Sequence, residues 1–179
     1  ILYSYNSIVI RLLLKSVDLT LSYAGSYSCA TLRSHVIAQH ALYKDFSKSV
    51  DFAMIYISEA HAKDEWPLGT KFSWDQPKTI EERIAIAKKF QEETKYKIPL
   101  YADTIEGSFE KYVFLGVHSS TKFLLKDINN VILRAFECWP ERWWLIYKNR
   151  VAMQGISQTG DASDYEQLVL WLKVYKTTL

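Results

Sequence analysis

The sequence predicts an α/β fold, a central mixed sheet flanked by helices. Three observations carry this. Two strand-like runs at 17–23 and 50–57 bracket a helical segment free of Gly and Pro; a capped helix and a third strand follow; a hairpin and a helix close the chain.

Residues 17–23 (VDLTLSY) alternate, and residues 50–57 (VDFAMIYI) run nearly continuously apolar, as a strand covered on both faces does. Between them, the segment from Cys29 to about Phe46 is expected to bury Leu32, Val36 and Tyr43, with Ile37 beside them, on one face. Such a βαβ unit has parallel strands and a right-handed crossover. A loop with Pro67, Gly69 and Pro77 leads to Thr79, which can cap the N3 amide while Glu82 reaches back to the cap. Ile80, Ile84, Ala87 and Phe90 form that helix's buried stripe. Residues 98–102 read as the third strand, with Pro99 near its start, where a missing N–H is tolerated, and Asp103 at its end.

Residues 104–138 show little turn chemistry apart from Gly116, and 112–138 is read as an atypical insertion. Residues 142–147 and 151–156, joined by Lys148, Asn149 and Arg150, form an antiparallel hairpin, although Asn-Arg is a weaker turn signal than Asn-Gly. Residues 164–176 close the chain as a helix with Leu168, Trp171, Leu172 and Tyr175 at three-four spacing, behind Ser163 as its cap. A cysteine at the first strand-to-helix junction and a proline before a late strand make this the layout of a thioredoxin-like domain.

At 179 residues the chain suits one core, so residues 1–179 are read as a single domain. With 49% apolar and 23% charged residues, disorder and fibrous repeats are disfavoured. The net charge of +2 comes from scattered bases, which offer no stripe to a phosphate backbone, so no nucleic-acid partner is expected. No Cys/His set has metal-ligand spacing, and no bound metal or cofactor is expected. Two cysteines, Cys29 and Cys138, are too few for a disulfide framework and point to a reducing compartment and a chemical role for one of them. The apolar run 8–14 contains Arg11 and is too short to span a bilayer. As given, the chain reads as cytoplasmic; an anchor preceding Ile1 would make it membrane-associated.

The backbone amides and dipole of a helix start lower a cysteine's pKa below its free value of about 8.5, so Cys29 is expected to be partly thiolate. Ser26 and Ser28 add hydroxyls beside it, and Tyr27 lies in the same turn. With Leu32 three residues on there is no C-x-x-C pair, so another resolving group or a small-molecule thiol must regenerate the sulfur. Trp139 and Pro140 precede the late strand, where a thioredoxin-like sheet brings a loop close to the thiol. Pro140 is a cis candidate, since X-Pro favours trans by only about 0.5–1 kcal/mol; an ordinary trans turn proline is the competing reading. Glu59 and His61 end the second strand, and ligands of open α/β sheets sit at the carboxyl ends of strands, so both are expected on the rim of Cys29. A histidine near a carboxylate can shuttle protons near neutral pH. The competing readings are an inert buried thiol and a solvated loop pair. His35, His40 and His118 are read as helix or loop residues.

The stretches VDFAMIYISEAHAKDEWPLG (50–69), TIEERIAIAKKF (79–90), IPLYADTIEGSFEK (98–111) and WPERWWLIYKNRVAMQG (139–155) resemble the iodothyronine deiodinases and their deiodinase-like relatives. The family carries selenocysteine at the position Cys29 fills. The resemblance therefore implies that Cys29 is the nucleophile taking iodonium from an aromatic ring, with Ser28 beside it. It gives Glu59 and His61 proton delivery and substrate contact, groups Tyr27 with the substrate-binding residues, and gives Arg142 the carboxylate of the substrate's amino-acid tail, which suits a guanidinium fork. The implied partners are an iodinated aromatic substrate and a thiol reductant acting as co-substrate, with a homodimer as the assembly to test. The chain departs from the family at Tyr27 and around Ile98 and Pro99, where family cysteines are replaced, and at Pro77, where a histidine is. Three functions follow in order: a cysteine deiodinase, a thiol peroxidase-like enzyme cycling through a sulfenic acid, and a non-catalytic thioredoxin-like domain that binds aromatic carboxylates.

Overall fold

The computed structural model describes residues 2–3, 19–106, 141–148, 150–156 and 162–177. Expectations for the insertion at 112–138, His118, Cys138, Trp139 and Pro140 lie outside the described residues.

The strands are β1 (Leu2–Tyr3), β2 (Leu19–Gly25), β3 (Asp51–Tyr56), β4 (Leu100–Ala102), β5 (Glu141–Tyr147) and β6 (Arg150–Ile156). The helices are α1 (Ala30–Phe46), α2 (Ile80–Thr94) and α3 (Ala162–Thr177). The sheet order is β1-β4-β3-β2-β5-β6. Pairing is parallel from β1 through β2, while β5 runs antiparallel to β2 and β6 antiparallel to β5. The mixed sheet, with α1 as the β2-to-β3 crossover and a hairpin closing the other side, is the expected thioredoxin-like arrangement.

Every residue of β2 is buried, which fits a central strand covered on both faces. Its alternate side chains Leu19, Leu21 and Tyr23 join a core with all three helices, through Leu32, Ala87 and Leu168 among others. The opposite face carries Ala24, Ala53, Ile55, Ile57, Tyr101 and Trp144. β2 and β3 stay in register from Thr20↔Asp51 to Gly25↔Tyr56, and the Ile57 amide then donates to the Gly25 carbonyl at 3.1 Å. Both strands therefore end together, at one edge of the sheet.

The buried residues of α1 are Leu32, Val36, Gln39, Leu42 and Phe46. Ile37, expected beside Val36 on the buried face, is 82% exposed. One residue further along turns a helix by about 100°, which carries Ile37 past the edge of the stripe and leaves the inward position to Gln39. In α2 the Thr79–Glu82 capping box forms, and Arg83 joins Ile84, Ala87 and Phe90 as buried while Ile80, at the first turn, is only half-buried. Arg83 Nη1 donates to the carbonyls of Asp103 and Thr104 at 3.1 and 2.5 Å, which fixes the end of β4. β4 is shorter than the 98–102 expected, although the Pro99 carbonyl still accepts from the Met54 amide at 2.8 Å.

The β5–β6 hairpin turns through Lys148 at φ 46° and carries an irregularity between Leu145 and Ile146. Trp143 faces Gly155 across it so closely that a Cβ on Gly155 would lie 2.0 Å from the indole. Leu168 and Leu172 of α3 are buried, and Trp171 and Tyr175 stack at 5.5 Å against Tyr147. Among the described residues no helix is long and apolar enough to cross a membrane.

Candidate active site

Between β2 and α1 the chain makes a tight turn in which Ser26, Tyr27, Ser28 and Cys29 are all buried. The Cys29 amide donates to the Ser26 carbonyl at 3.2 Å, and Cys29 is the N-cap of α1, its Sγ accepting from the Leu32 amide at 3.4 Å. The sequence expectation of a thiol at the helix start is met in geometry but not in charge. Burial pushes the thiol pKa up; the Leu32 hydrogen bond pulls it down by less, and the Glu141 carboxylate pushes it up again. With 1% of the residue exposed, desolvation of the thiolate outweighs the helix start. The resting sulfur is a neutral, covered thiol rather than the accessible thiolate that the helix position alone predicts.

Glu59 ties this turn to the loop after β3. The residue is 1% exposed, with its Oε2 accepting from the Ser28 amide at 3.0 Å and Oε1 from the Tyr56 hydroxyl at 2.5 Å. Tyr56 in turn accepts from the Tyr27 amide at 2.9 Å. Burial raises the Glu59 pKa, and the bonds from Ser28 and Tyr56 offset part of that rise. The turn's serines complete the seam: Ser26 Oγ accepts from the Ala60 amide at 2.9 Å and Ser28 Oγ from the His61 amide at 3.1 Å. Gln76 closes the loop from behind, its Oε1 accepting from the Glu59 amide at 2.7 Å and its Nε2 donating to the Glu59 carbonyl at 3.1 Å.

His61 is half-buried, with Nδ1 3.2 Å from the Trp66 carbonyl and its ring edge-on to the Trp66 indole at 5.4 Å. Tyr27 points into the aromatic core, stacked on Trp74 at 5.3 Å and edge-on to Phe90, with its hydroxyl donating to Glu93 at 2.6 Å. Burial and then the Glu93 bond push its pKa up to about 12. Arg33 braces the turn from α1, donating to the Tyr27 and Ser28 carbonyls at 2.6 and 2.8 Å and lying over Phe72 at 4.4 Å.

Ser28, Cys29, Glu59 and His61 are thus brought together. Arg142 is not brought to them. From β5 it pairs with Ala24 of β2, and strand alternation puts it on the face opposite Glu141; it is 8% exposed, with no carboxylate partner among the described residues. The residue before it supplies something the sequence reading missed. Glu141, opposite Gly25, reaches α1, where His35 Nδ1 lies 3.1 Å from its Oε2 and Gln39 Nε2 donates to its Oε1 at 3.2 Å. Tyr56 is a second such residue: its place in the apolar β3 run gives no sign of the bonds its hydroxyl makes to Glu59 and the Tyr27 amide. The lone signal for Glu141 is its place beside Arg142, since nothing local in the sequence joins it to His35.

The sheet order and a buried polar site at the strand-to-helix junction define the class as a thioredoxin-like architecture. Residues 16–125 match the family model described as iodothyronine deiodinase, and the chain belongs to that family. It is 38% identical to the type I iodothyronine deiodinase of Xenopus laevis over 114 residues, which cover 64% of this chain and 36% of that protein. The type II iodothyronine deiodinase of Fundulus heteroclitus is 39% identical over 72 residues, 38% of this chain and 27% of the relative. The thyroxine 5-deiodinase of Ovis aries is 25% identical over 156 residues, 87% of this chain and 45% of the relative. The chain therefore spans less than half the length of each of these relatives.

Proposed function

We propose that the protein removes iodide reductively from iodothyronine-like iodophenols, with Cys29 as nucleophile and a thiol as reductant. The observation that carries this reading is the Glu59 latch: a buried carboxyl, held in a more protonated state than usual, bonded to the amide that precedes the thiol. In the first step the Cys29 thiolate takes iodine from the ring carbon as a sulfenyl iodide. The carbon–iodine electron pair stays with the ring and is protonated, and Glu59, aided by Tyr56, is the proton source. A reductant thiolate then attacks the Cys29 sulfur, which releases iodide and forms a mixed disulfide. A second thiolate frees Cys29 and leaves as the oxidised disulfide, so two thiols are consumed for each iodide.

His61 and the Trp66 ring offer the half-exposed aromatic contact for the substrate. Arg142 is assigned the substrate's carboxylate, because a largely desolvated guanidinium with no carboxylate beside it among the described residues favours taking one. Sulfur in place of selenium is a poorer nucleophile and leaving group, so slow turnover is expected. The reaction also requires the 25–29 turn and the 58–76 loop to part enough to uncover the sulfur.

That cover favours a second reading, a non-catalytic domain that binds aromatic carboxylates. The raised thiol pKa weighs equally on a deiodinase and on a peroxidase, since both act through the thiolate. The test is iodide release from iodothyronines and simpler iodophenols with dithiothreitol, run on wild type, Cys29→Ser and Glu59→Gln. Deiodination requires release that is lost in Cys29→Ser and lowered by about 10²-fold or more in Glu59→Gln. Binding of the same compounds with no iodide released establishes the second reading instead.

A further inference from the structure

Glu141 is a buried carboxylate close to the helix start that no step above uses. Its backbone lies opposite Gly25, and its side chain crosses the first turns of α1, where His35 and Gln39, four residues apart, both contact it. Cys29, Leu32 and Val36 form the adjoining stripe of the same helix. Gln39 is fixed from its far side, its Oε1 accepting from the Tyr96 hydroxyl at 2.5 Å, so the amide offered to Glu141 has a defined orientation. Glu141 is 3% exposed and the His35 side chain 26%, which leaves the histidine within reach of solvent protons.

The charges facing this pair can be named. Glu141 from β5 opposes ionisation of Cys29, and Arg33 from α1 interacts favourably with the thiolate. Glu59, from the loop after β3, is bonded to the Ser28 amide. Glu141 itself meets His35 and Gln39 from α1, with Tyr96 behind Gln39 from the segment after α2. Of these, His35 is the group that ordinarily changes charge near neutral pH.

We propose that His35 is a positioning residue for the thiol: paired as a cation with Glu141, it cancels the carboxylate's field at Cys29 and makes the sulfur easier to ionise. Loss of the His35 proton restores the field and makes the sulfur harder to ionise. The pair therefore couples the thiol's readiness to the pH of its surroundings. The inference takes Cys29 as the reacting group of the proposed function, but its test needs no turnover.

Protein carrying Cys138→Ser and isotopically labelled cysteine is titrated by NMR, reading the Cβ resonance of Cys29, which requires no reagent to reach the sulfur. Against that background His35→Arg, a permanent cation, is expected to move the midpoint down, and His35→Asn to move it up, the two separated by about one pH unit or more. Glu141→Gln, which removes the carboxylate's own field, is expected to lower the midpoint. Equal midpoints for folded His35→Arg and His35→Asn proteins would overturn the proposal, and the partly exposed His35 makes both substitutions tolerable even where Glu141→Gln fails to fold. A protein that shows these shifts but releases no iodide keeps this inference and loses the proposed function.

Discussion

The Tyr56 hydroxyl stands between two partners, donating to Glu59 at 2.5 Å and accepting from the Tyr27 amide at 2.9 Å. One side chain of β3 thus holds both the carboxylate and the backbone of the thiol turn. Tyr56→Phe strips a donor from a buried carboxylate and an acceptor from a buried amide, at a cost of about 1–3 kcal/mol. Urea unfolding should show that loss with an unchanged denaturant slope. A stability equal to wild type would mean that water replaces the hydroxyl, and the turn would not depend on Tyr56.

Two histidines pull the pH dependence of stability in opposite directions. His40 Nε2 accepts from the Lys97 amide at 3.2 Å, and burial, helped by the Lys97 charge, lowers its pKa. The unfolded chain then binds the extra proton first, so this contribution is present above the unfolded value of about 6.5 and is lost as pH falls through the lower folded value. The hydrogen bond to Glu141 raises the His35 pKa despite partial burial. Its contribution is complete below about 6.5 and is lost as pH rises through the folded value. His40→Asn should flatten the acid limb of the stability profile, and His35→Asn the neutral limb. The reverse assignment would contradict the contacts of both rings.

Gly155 has no room for a side chain, because Trp143 occupies the space. Since Trp143 is itself 2% exposed, Gly155→Ala must displace a packed indole or bend the β5–β6 pair. A loss of about 1–3 kcal/mol is expected, together with a changed near-ultraviolet tryptophan signal. An alanine variant with native stability and spectrum would show that the hairpin yields freely.

Lys95 ends α2 in the left-handed region at φ 52°, with its amide donating to Glu92 and Gln91 carbonyls. A side chain there costs roughly 1 kcal/mol that glycine avoids. Lys95→Gly should therefore raise the thermal midpoint by about 2–4 °C for a chain of this size. No gain would imply that the lysine's conformational restriction of the unfolded chain offsets the strain.

Much of the fold was legible because its signals are local. The Thr79–Glu82 box, the gap-free α1 segment and the apolar β3 run each specify an element without help from the rest of the chain. Ile37 was misplaced because it lies one residue beyond the stripe edge, where periodicity alone cannot tell a buried flank from an exposed one. The gathering of Ser28, Cys29, Glu59 and His61 followed from the rule that parallel strands present their carboxyl ends together. What escaped was long-range or electrostatic. His35 meets Glu141 only through the antiparallel register of β5 on β2, and the protonation of Cys29 turns on how completely the turn is covered, which a helix position does not reveal.

Because β2 and β3 finish side by side, the candidate site gathers at a single rim, and the opposite rim is left to connections such as 47–50 and the bend at Lys148. Lys148, exposed and a full strand length from Glu141, is a natural place to attach a fluorophore or tether the protein to a sensor surface. A label there would report on the molecule while leaving the working end unobstructed.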